Sequence, residues 1–326
     1  MLREHIPPPM VRLLMKVLFP IPHRLAQHHV TIDADGLDTL RASIKNNYHK
    51  GWRRESNYSK EMYDADLRAH LHERLDTDRR TVVPWLDRAR RLRNMRILEI
   101  GCGTGSSTVA LAEQGATVTG IDIDHDALTV AKDRCRIYGV EAELHALNVT
   151  TMAGIFGSQA FDAIIFFASL EHMTIAERLA ALRDAWQMLP IGGLLVVVET
   201  PNRLWYYDGH TSRLPFFHWL PDELAFQYSA FSPRENFREL YREYDATSHE
   251  HFLRRGRGMS FHEFEVAIKP ATELKVLSSL SSFVGTRYKL QRSILERRYK
   301  AMLRRIYPGV HEGFCDDTLF LIIERD

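Results

Sequence analysis

The chain carries three groups of residues whose types and spacing could do chemistry. The first is Ile97-Leu98-Glu99-Ile100-Gly101-Cys102-Gly103-Thr104-Gly105, an apolar run with an embedded acid that ends in three alternate glycines. Glycine has no Cβ, so backbone there can turn sharply and approach a ligand closely. A second apolar run, Ala116-Thr117-Val118-Thr119-Gly120-Ile121, ends in Asp122. A strand-end acid about twenty residues beyond a glycine turn is the layout in which a carboxylate accepts hydrogen bonds from ribose hydroxyls. The glycines are spaced G-x-G-x-G, and Ser106 stands where a dinucleotide turn would place its third glycine. A carboxylate at Glu99 would repel a diphosphate and could orient a cationic amino acid. The pattern therefore favours a cationic cofactor over a dinucleotide.

The second group, Ala168-Ser169-Leu170-Glu171-His172, follows the apolar run Phe161-Asp162-Ala163-Ile164-Ile165-Phe166-Phe167. The third follows Leu194-Leu195-Val196-Val197-Val198-Glu199 and is dense in rings and polar tips: Trp205, Tyr206, Tyr207, Asp208, His210, Phe216, Phe217, His218 and Trp219. Ligands sit at the carboxyl ends of strands in open α/β sheets, and rings with polar tips suit an acceptor pocket. Trp205, Tyr206, Asp208 and His218 are the candidate acceptor contacts there.

These groups need elements to hold them. Ser106, Ser107 and Thr108 are placed to cap a helix that stops at Gly115. Asp124 should cap a helix running to Tyr138 and ending at Gly139, and Ile175 to Met188 has helical spacing that would cover the sheet. Thr81 to Arg93 reads as the helix leading into strand one. Ser260 to Ile268 fits either a helix with a Ser-x-x-Glu capping box or strand six; the alternation of Phe264, Val266 and Ile268 favours the strand. Residues Ala271 to Tyr307 read as helical, and Asp317 to Ile323 as the last strand.

With its order of pieces, the stretch ILEIGCGTGSSTVALAEQGATVTGIDID resembles the first motif of the class I S-adenosylmethionine-dependent methyltransferases, over roughly residues 80 to 200. The resemblance implies a Rossmann-like, seven-stranded αβα sandwich with an antiparallel last strand. To this α/β core are added a helical N-terminal cap and a substrate insertion after strand five. It also implies S-adenosyl-L-methionine as cofactor. Gly101, Cys102, Gly103 and Gly105 would lie along its methionine and ribose, Glu99 beside its amino acid, Asp122 on the ribose hydroxyls and Ile123 against the adenine. Asn148 stands where the family often has an Asp facing the adenine amino group, and its amide carbonyl could accept the same bond. Ala168 to His172 would face the transferred methyl. The expected division is 1–80 cap, 81–202 cofactor core, 203–259 acceptor insertion and 260–326 the rest of the core. Tyr48, His49, Trp52 and Tyr58 are lid contacts or simply packing between cap helices, and Tyr48 and Trp52 are the stronger acceptor candidates.

Composition narrows the partners. Lys and Arg total 43 against 42 Asp and Glu, so no overall field favours nucleic acid. Cys102, Cys135 and Cys315 are too scattered for a disulfide framework or a zinc site, which suits a reducing cytoplasm. The run Met10 to Phe19, bracketed by prolines, carries Arg12 and Lys16 and lacks a small-residue cleavage site, so it is not expected to be a signal peptide. It reads as an amphipathic helix for the core, a homodimer partner or a membrane surface. Arg254-Arg255-Gly256-Arg257-Gly258 is a solvated loop or a site for phosphate or carboxylate.

Methyl transfer from a sulfonium chiefly needs alignment and exclusion of water, and an oxygen acceptor must also lose a proton. His172 is the first choice of general base and His210 the second, with Glu171 beside them and Asp208 available to orient either. The expectation is O-methylation of a small molecule or saccharide hydroxyl without a metal. The alternatives are N- or C-methylation of a lipid-like or quinone acceptor, a non-catalytic cofactor-binding module, and metal assistance from Glu171, His172, Glu199, Asp208 and His210.

Overall fold

The computed structural model describes residues 28–50, 53, 59–240 and 245–326. The apolar run at 10–19, Trp52 and Tyr58 lie outside the described residues. Seven strands form one sheet in the order β3-β2-β1-β4-β5-β7-β6. Strands β1 (Arg96–Ile100), β2 (Thr117–Asp122), β3 (Glu143–Ala146), β4 (Ala163–Phe167) and β5 (Leu194–Pro201) pair in parallel. β7 (Thr318–Glu324) runs antiparallel between β5 and β6 (Lys275–Ser279). The order reverses between β1 and β4, so their carboxyl ends open a crevice at the switch point of the sheet.

Apolar runs such as Ile97, Leu98 and Ile100 are buried on both faces of the sheet, as strands covered by helices must be. One face packs α1 (Ala34–Ser43), α3 (Val83–Ala89), α4 (Ser106–Ala112) and α5 (His125–Tyr138) around Leu40, Trp85, Ile97 and Val109. The other packs α6 (Ile175–Met188) and α7 (Phe261–Ala267) around Leu98, Phe166, Leu182 and Phe264. A third cluster, Leu214, Phe217, Phe226, Phe237 and Phe252, gives residues after β5 a small core of their own.

Local signals explain the helix ends. Asp124 caps α5 through the amides of Asp126 and Ala127, and Gly139 closes it with φ +63°. Thr174 and Glu177 form a capping box on α6. The cap is less regular: α2 (Lys60–Arg68) continues through π turns at Ala69–Glu73 and Asp78–Val82 into α3. Such π turns rotate side chains off the helical register and often mark functional positions.

Three expectations are corrected. Ser260 to Ile268 is helical, because Ser260 and Glu263 complete a capping box that outweighs the alternation of apolar residues. Strand β6 instead lies inside the stretch read as helical, where α8 (Ile294–Ile306) and shorter helices follow it. Ser106, Ser107 and Thr108 do not cap α4; its N-cap is Gly105, and two of the hydroxyls turn back to Glu99.

Candidate active site

A cavity of about 510 Å³ lies at the carboxyl ends of β1, β2, β4 and β5, beneath the cap helices. One wall is the glycine turn. Gly101 needs φ +84°, and a Cβ there would lie 2.7 Å from Ser169 Cβ, so the turn and the β4 loop touch through that glycine. Gly103 has φ +50° with nothing within 4 Å of a Cβ, and it faces the cavity. Its amide donates to Asp122 Oδ2 at 2.8 Å, while Asp122 Oδ1 accepts from the amide of Asp124 at 2.9 Å. The carboxylate is thereby fixed at the cavity edge with further lone pairs facing inward.

The floor comes from the ends of β4 and β5. Ala168 and Glu199 hold left-handed φ values of +43° and +62°, a conformation that costs a non-glycine residue free energy and tends to persist at functional positions. A register shift between Val197 and Thr200 accompanies the second and turns the Glu199 carboxyl into the cavity, where the surrounding protein raises its pKa and Arg74 opposes the rise. Tyr48, His70, Glu73, Arg74 and Asp78 descend from the cap, most of them from the two π turns.

At the far end sits His172. Its Nδ1 lies 2.8 Å from the backbone oxygen of Arg254. A carbonyl only accepts, so Nδ1 carries the hydrogen and Nε2 the lone pair. The ring is half exposed to the cavity; the protein around it lowers its pKa below the ordinary value, and the Arg254 carbonyl works against that. Behind it, Glu171 is fully buried, which pushes its carboxyl up to about 8. Glu171 Oε1 lies 3.9 Å from His172 Nε2 and 4.0 Å from His210 Nε2. His210 Nδ1 is 3.1 Å from Thr211 Oγ1, whose own proton goes to Gly256 O at 2.7 Å, so the second ring also turns a lone pair toward Glu171. Burial, then the neighbouring His172, lowers His210 to about 4.

The loop carrying Arg254 is held by Arg178, which is buried on α6 and donates to the carbonyls of Arg257 at 2.6 Å, Gly258 at 3.2 Å and Met173 at 3.2 Å.

The family model for a methyltransferase domain matches residues 97–193, the segment that builds the glycine turn, Asp122 and the β4 loop. Residues 97–193 are thus a methyltransferase domain, of the kind that uses S-adenosylmethionine. Similar curated proteins include the ubiquinone biosynthesis O-methyltransferases of Pseudomonas entomophila (strain L48), 31% identical over 156 residues, and Pseudomonas putida (strain W619), 33% identical over 156 residues. Each match covers 48% of this chain and 59% of the relative, so the chain spans less than two thirds of the relatives' length. Magnesium protoporphyrin IX methyltransferase from Synechocystis PCC 6803, solved with bound SAM, is 22% identical and covers 54% of this chain and 80% of that one, with a TM-score of 0.37. The CcbJ methyltransferase from Streptomyces caelestis is 22% identical over 39% of this chain and 50% of that one, with a TM-score of 0.34.

In this methyltransferase domain the wall fits the superfamily's cofactor. Ser106 and Ser169 line the cavity with buried hydroxyls that lack a hydrogen-bond partner among the described residues. The open side of Gly103 and the lone pairs of Asp122 complete a polar cradle, with Ile123 exposed at its rim. Of the expected cofactor residues, Gly101, Cys102, Gly103, Asp122, Ile123, Asn148 and Ala168 line the cavity.

Glu99 and Gly105 do not line it. Glu99 is fully buried behind the turn, and its two oxygens accept from Ser107 and, at 2.6 Å, from Thr108. A carboxyl that deep, raised to about 7 mainly by burial, ties β1 to α4 instead of facing ligand. Gly105 serves helix packing, since a Cβ there would come within 2.9 Å of Ala131 Cα on α5. Asn148 reaches the wall, but its amide oxygen already accepts from the amide and hydroxyl of Thr150, so it is not free for an adenine amino group.

Among the acceptor candidates, Tyr48 lines the cavity. The rings of Trp205 and Tyr206 pack on Tyr299 of α8, at 5.2 and 5.0 Å, away from the cavity wall. Asp208 and His218 form a buried pair at 3.2 Å, and Asp208 also accepts from the amides of His210, Thr211 and Ser212. Asp208 thus shapes the turn that carries His210 and orients neither the His172 nor the His210 ring. Arg254 and Arg257 are likewise committed inside the protein, to Glu177 at 2.9 Å and to Asp222 at 3.1 Å. Glu171, His172 and His210 do converge, but no group of three His, Cys, Asp or Glu suited to a metal occurs among the described residues.

Arg74 and Asp78 carry no signal in the sequence as pocket residues, and Glu199 appears there only as one of a possible metal set. Their signal is the π turns and the left-handed backbone, neither of which shows in residue type.

Proposed function

We propose that the protein transfers a methyl group from S-adenosylmethionine to a hydroxyl of a small acceptor, with His172 as general base. The carrying observation is the 2.8 Å contact between the Arg254 carbonyl and Nδ1 of His172, a ring that lines the cavity, which leaves Nε2 as the nitrogen able to accept a proton. The bound cofactor supplies a methyl group already activated on a sulfonium.

The chain's own residues do the rest. Gly103 and Asp122 would hold the ribose, and Ser106 and Ser169 offer hydroxyls to the polar part of the cofactor. The cap lines one side of the cavity, and Arg74, Asp78 and Glu199 offer polar contacts to the acceptor. Orientation of this kind is worth about 7–11 kcal/mol, more than one base contributes. His172 Nε2 takes the acceptor's proton as the bond forms. Glu171 Oε1 lies 3.9 Å from that nitrogen and would favour the imidazolium once its own carboxyl, raised to about 8, is ionised.

A saccharide-like hydroxyl is favoured by the carboxyls on the acceptor side, because Asp78 and Glu199 line the cavity and offer oxygens to hydroxyl groups. The second reading, a hydroxyl on a quinol ring, is supported by the names of the curated relatives. Incubation with S-adenosylmethionine and a panel of saccharides and catechol-type quinols, read as S-adenosylhomocysteine released, tests both. Turnover on neither class, with cofactor bound, would leave a binding module as the better reading.

A further inference from the structure

We propose that the outward face of α8, with the groove beside it, is a docking surface for an anionic phospholipid bilayer. The proposal goes beyond the methyl-transfer reading and does not depend on which acceptor is used.

Between Thr286 and Tyr307 the sequence has eight basic residues and one acid, in a chain whose overall balance is +1. Helix α8 has thirteen residues, begins with a Ser293–Glu296 capping box, and buries none of its residues. Its inner face is tied down: Tyr299 donates to the Leu204 carbonyl at 2.7 Å, and Lys300 and Arg304 pair with Asp316 and Glu312. The outer face carries Ile294, Leu295, Met302 and Ile306, between 43% and 68% exposed, interleaved with Arg297, Arg298 and Arg305. These three arginines have no ion-pair partner among the described residues.

Beside them runs an apolar groove of about 820 Å³, walled on one side by Met302 and Ile306 and on the other by Ile175, Trp219 and Val266. The far rim is itself exposed, so the apolar strip continues across the groove. Aliphatic side chains beside arginines let the chains enter the acyl boundary while the guanidinium groups stay at the phosphates. A nucleic acid would match the charge and leave the aliphatic strip in water. A second copy of this chain would match the strip and set like charges against each other. An anionic lipid surface satisfies both features. Ile175 and Leu179 of the groove and Glu177 of the active cavity share the first turns of α6, so a bilayer there would lie beside the reaction site.

Co-sedimentation of the full chain with vesicles tests this. The protein should pellet with an equimolar mixture of phosphatidylcholine and phosphatidylglycerol, stay in the supernatant with phosphatidylcholine alone, and be released as salt rises. R297E/R298E/R305E and, separately, M302D/I306D should each lower the bound fraction about tenfold or more. Melting temperature and S-adenosylhomocysteine binding should stay unchanged in both, which separates loss of docking from loss of fold. The proposal is overturned if the wild type ignores both vesicles or pellets equally with both. It is also overturned if the triple variant pellets like the wild type, which would move the contact to another segment such as residues 10–19. A wild-type dimer in sedimentation without lipid, lost in both variants, would assign the face to a second copy instead.

Discussion

His172 Nδ1 lies 2.8 Å from the carbonyl oxygen of Arg254, a residue eighty-two positions further along the chain. That contact sets the tautomer of the ring, and Arg178 sets the contact by gripping the loop at Arg257 and Gly258. A buried cation on α6 therefore helps hold the loop whose carbonyl fixes which nitrogen of a cavity histidine carries the hydrogen.

Replacement of His172 by Ala should lower turnover by about 10² or more, while the affinity for S-adenosylhomocysteine stays nearly unchanged. Calorimetry and a product assay measure the two separately. Unchanged turnover would remove His172 from the base role.

The same ring sets a pH limb. The protein around the half-exposed ring lowers the His172 pKa below its ordinary value, and the proposed base role requires the neutral form. Activity should therefore be lost as pH falls through a value below about 6.5 and be flat just above it. A limb centred at or above neutrality, in the profile of kcat/KM, would contradict a neutral, carbonyl-held ring.

Two glycines of one turn should behave differently. A Cβ on Gly101 meets Ser169 Cβ at 2.7 Å and the Phe167 carbonyl at 2.9 Å, with φ +84°, so Gly101→Ala should lower the melting temperature. At Gly103 the left-handed backbone alone costs about 1–2 kcal/mol, with nothing to strike. Gly103→Ala should stay folded and lose cofactor affinity, as read by calorimetry with S-adenosylhomocysteine.

Much of this frame is legible in the sequence where a local rule has no competitor. Asp124 and Gly139 bound α5, and Thr174 with Glu177 starts α6, because caps are settled within a few residues. Ser260 to Ile268 carried two signals, and the capping box prevailed because α7 packs its apolar side on α6. Lys275–Ser279 becomes a strand only by pairing with β7, some forty residues on, which no local pattern records. Residue types alone offered Glu171, His172 and His210 as candidates, and the fold places both rings within 4.0 Å of Glu171. Types could not show that Asp208 faces His218 or that Trp205 faces Tyr299, since both depend on how the chain after β5 folds back on itself.

Asp208 gives a stability test of that fold-back. Burial acts to raise its pKa, but His218 and the backbone amides of Thr211 and Ser212 hold it well below the carboxylate range. A depressed pKa stabilises the fold above the unfolded value of about 3.9 and ceases to do so as pH falls below it. Asp208→Ala should cost about 1–3 kcal/mol at pH 7, because the buried amides of Thr211 and Ser212 and the ring of His218 lose their acceptor. Denaturant unfolding at pH 7 measures the loss, and a change below about 1 kcal/mol would contradict the buried pair.

A crystal structure with S-adenosylhomocysteine tests the central claim most directly. The ribose hydroxyls should lie on Asp122, the nucleoside along Gly103 and Ile123, and the sulfur should point toward Ala168 and the Nε2 side of His172. Ligand bound outside this cavity, or with its sulfur turned away from His172, would contradict the account.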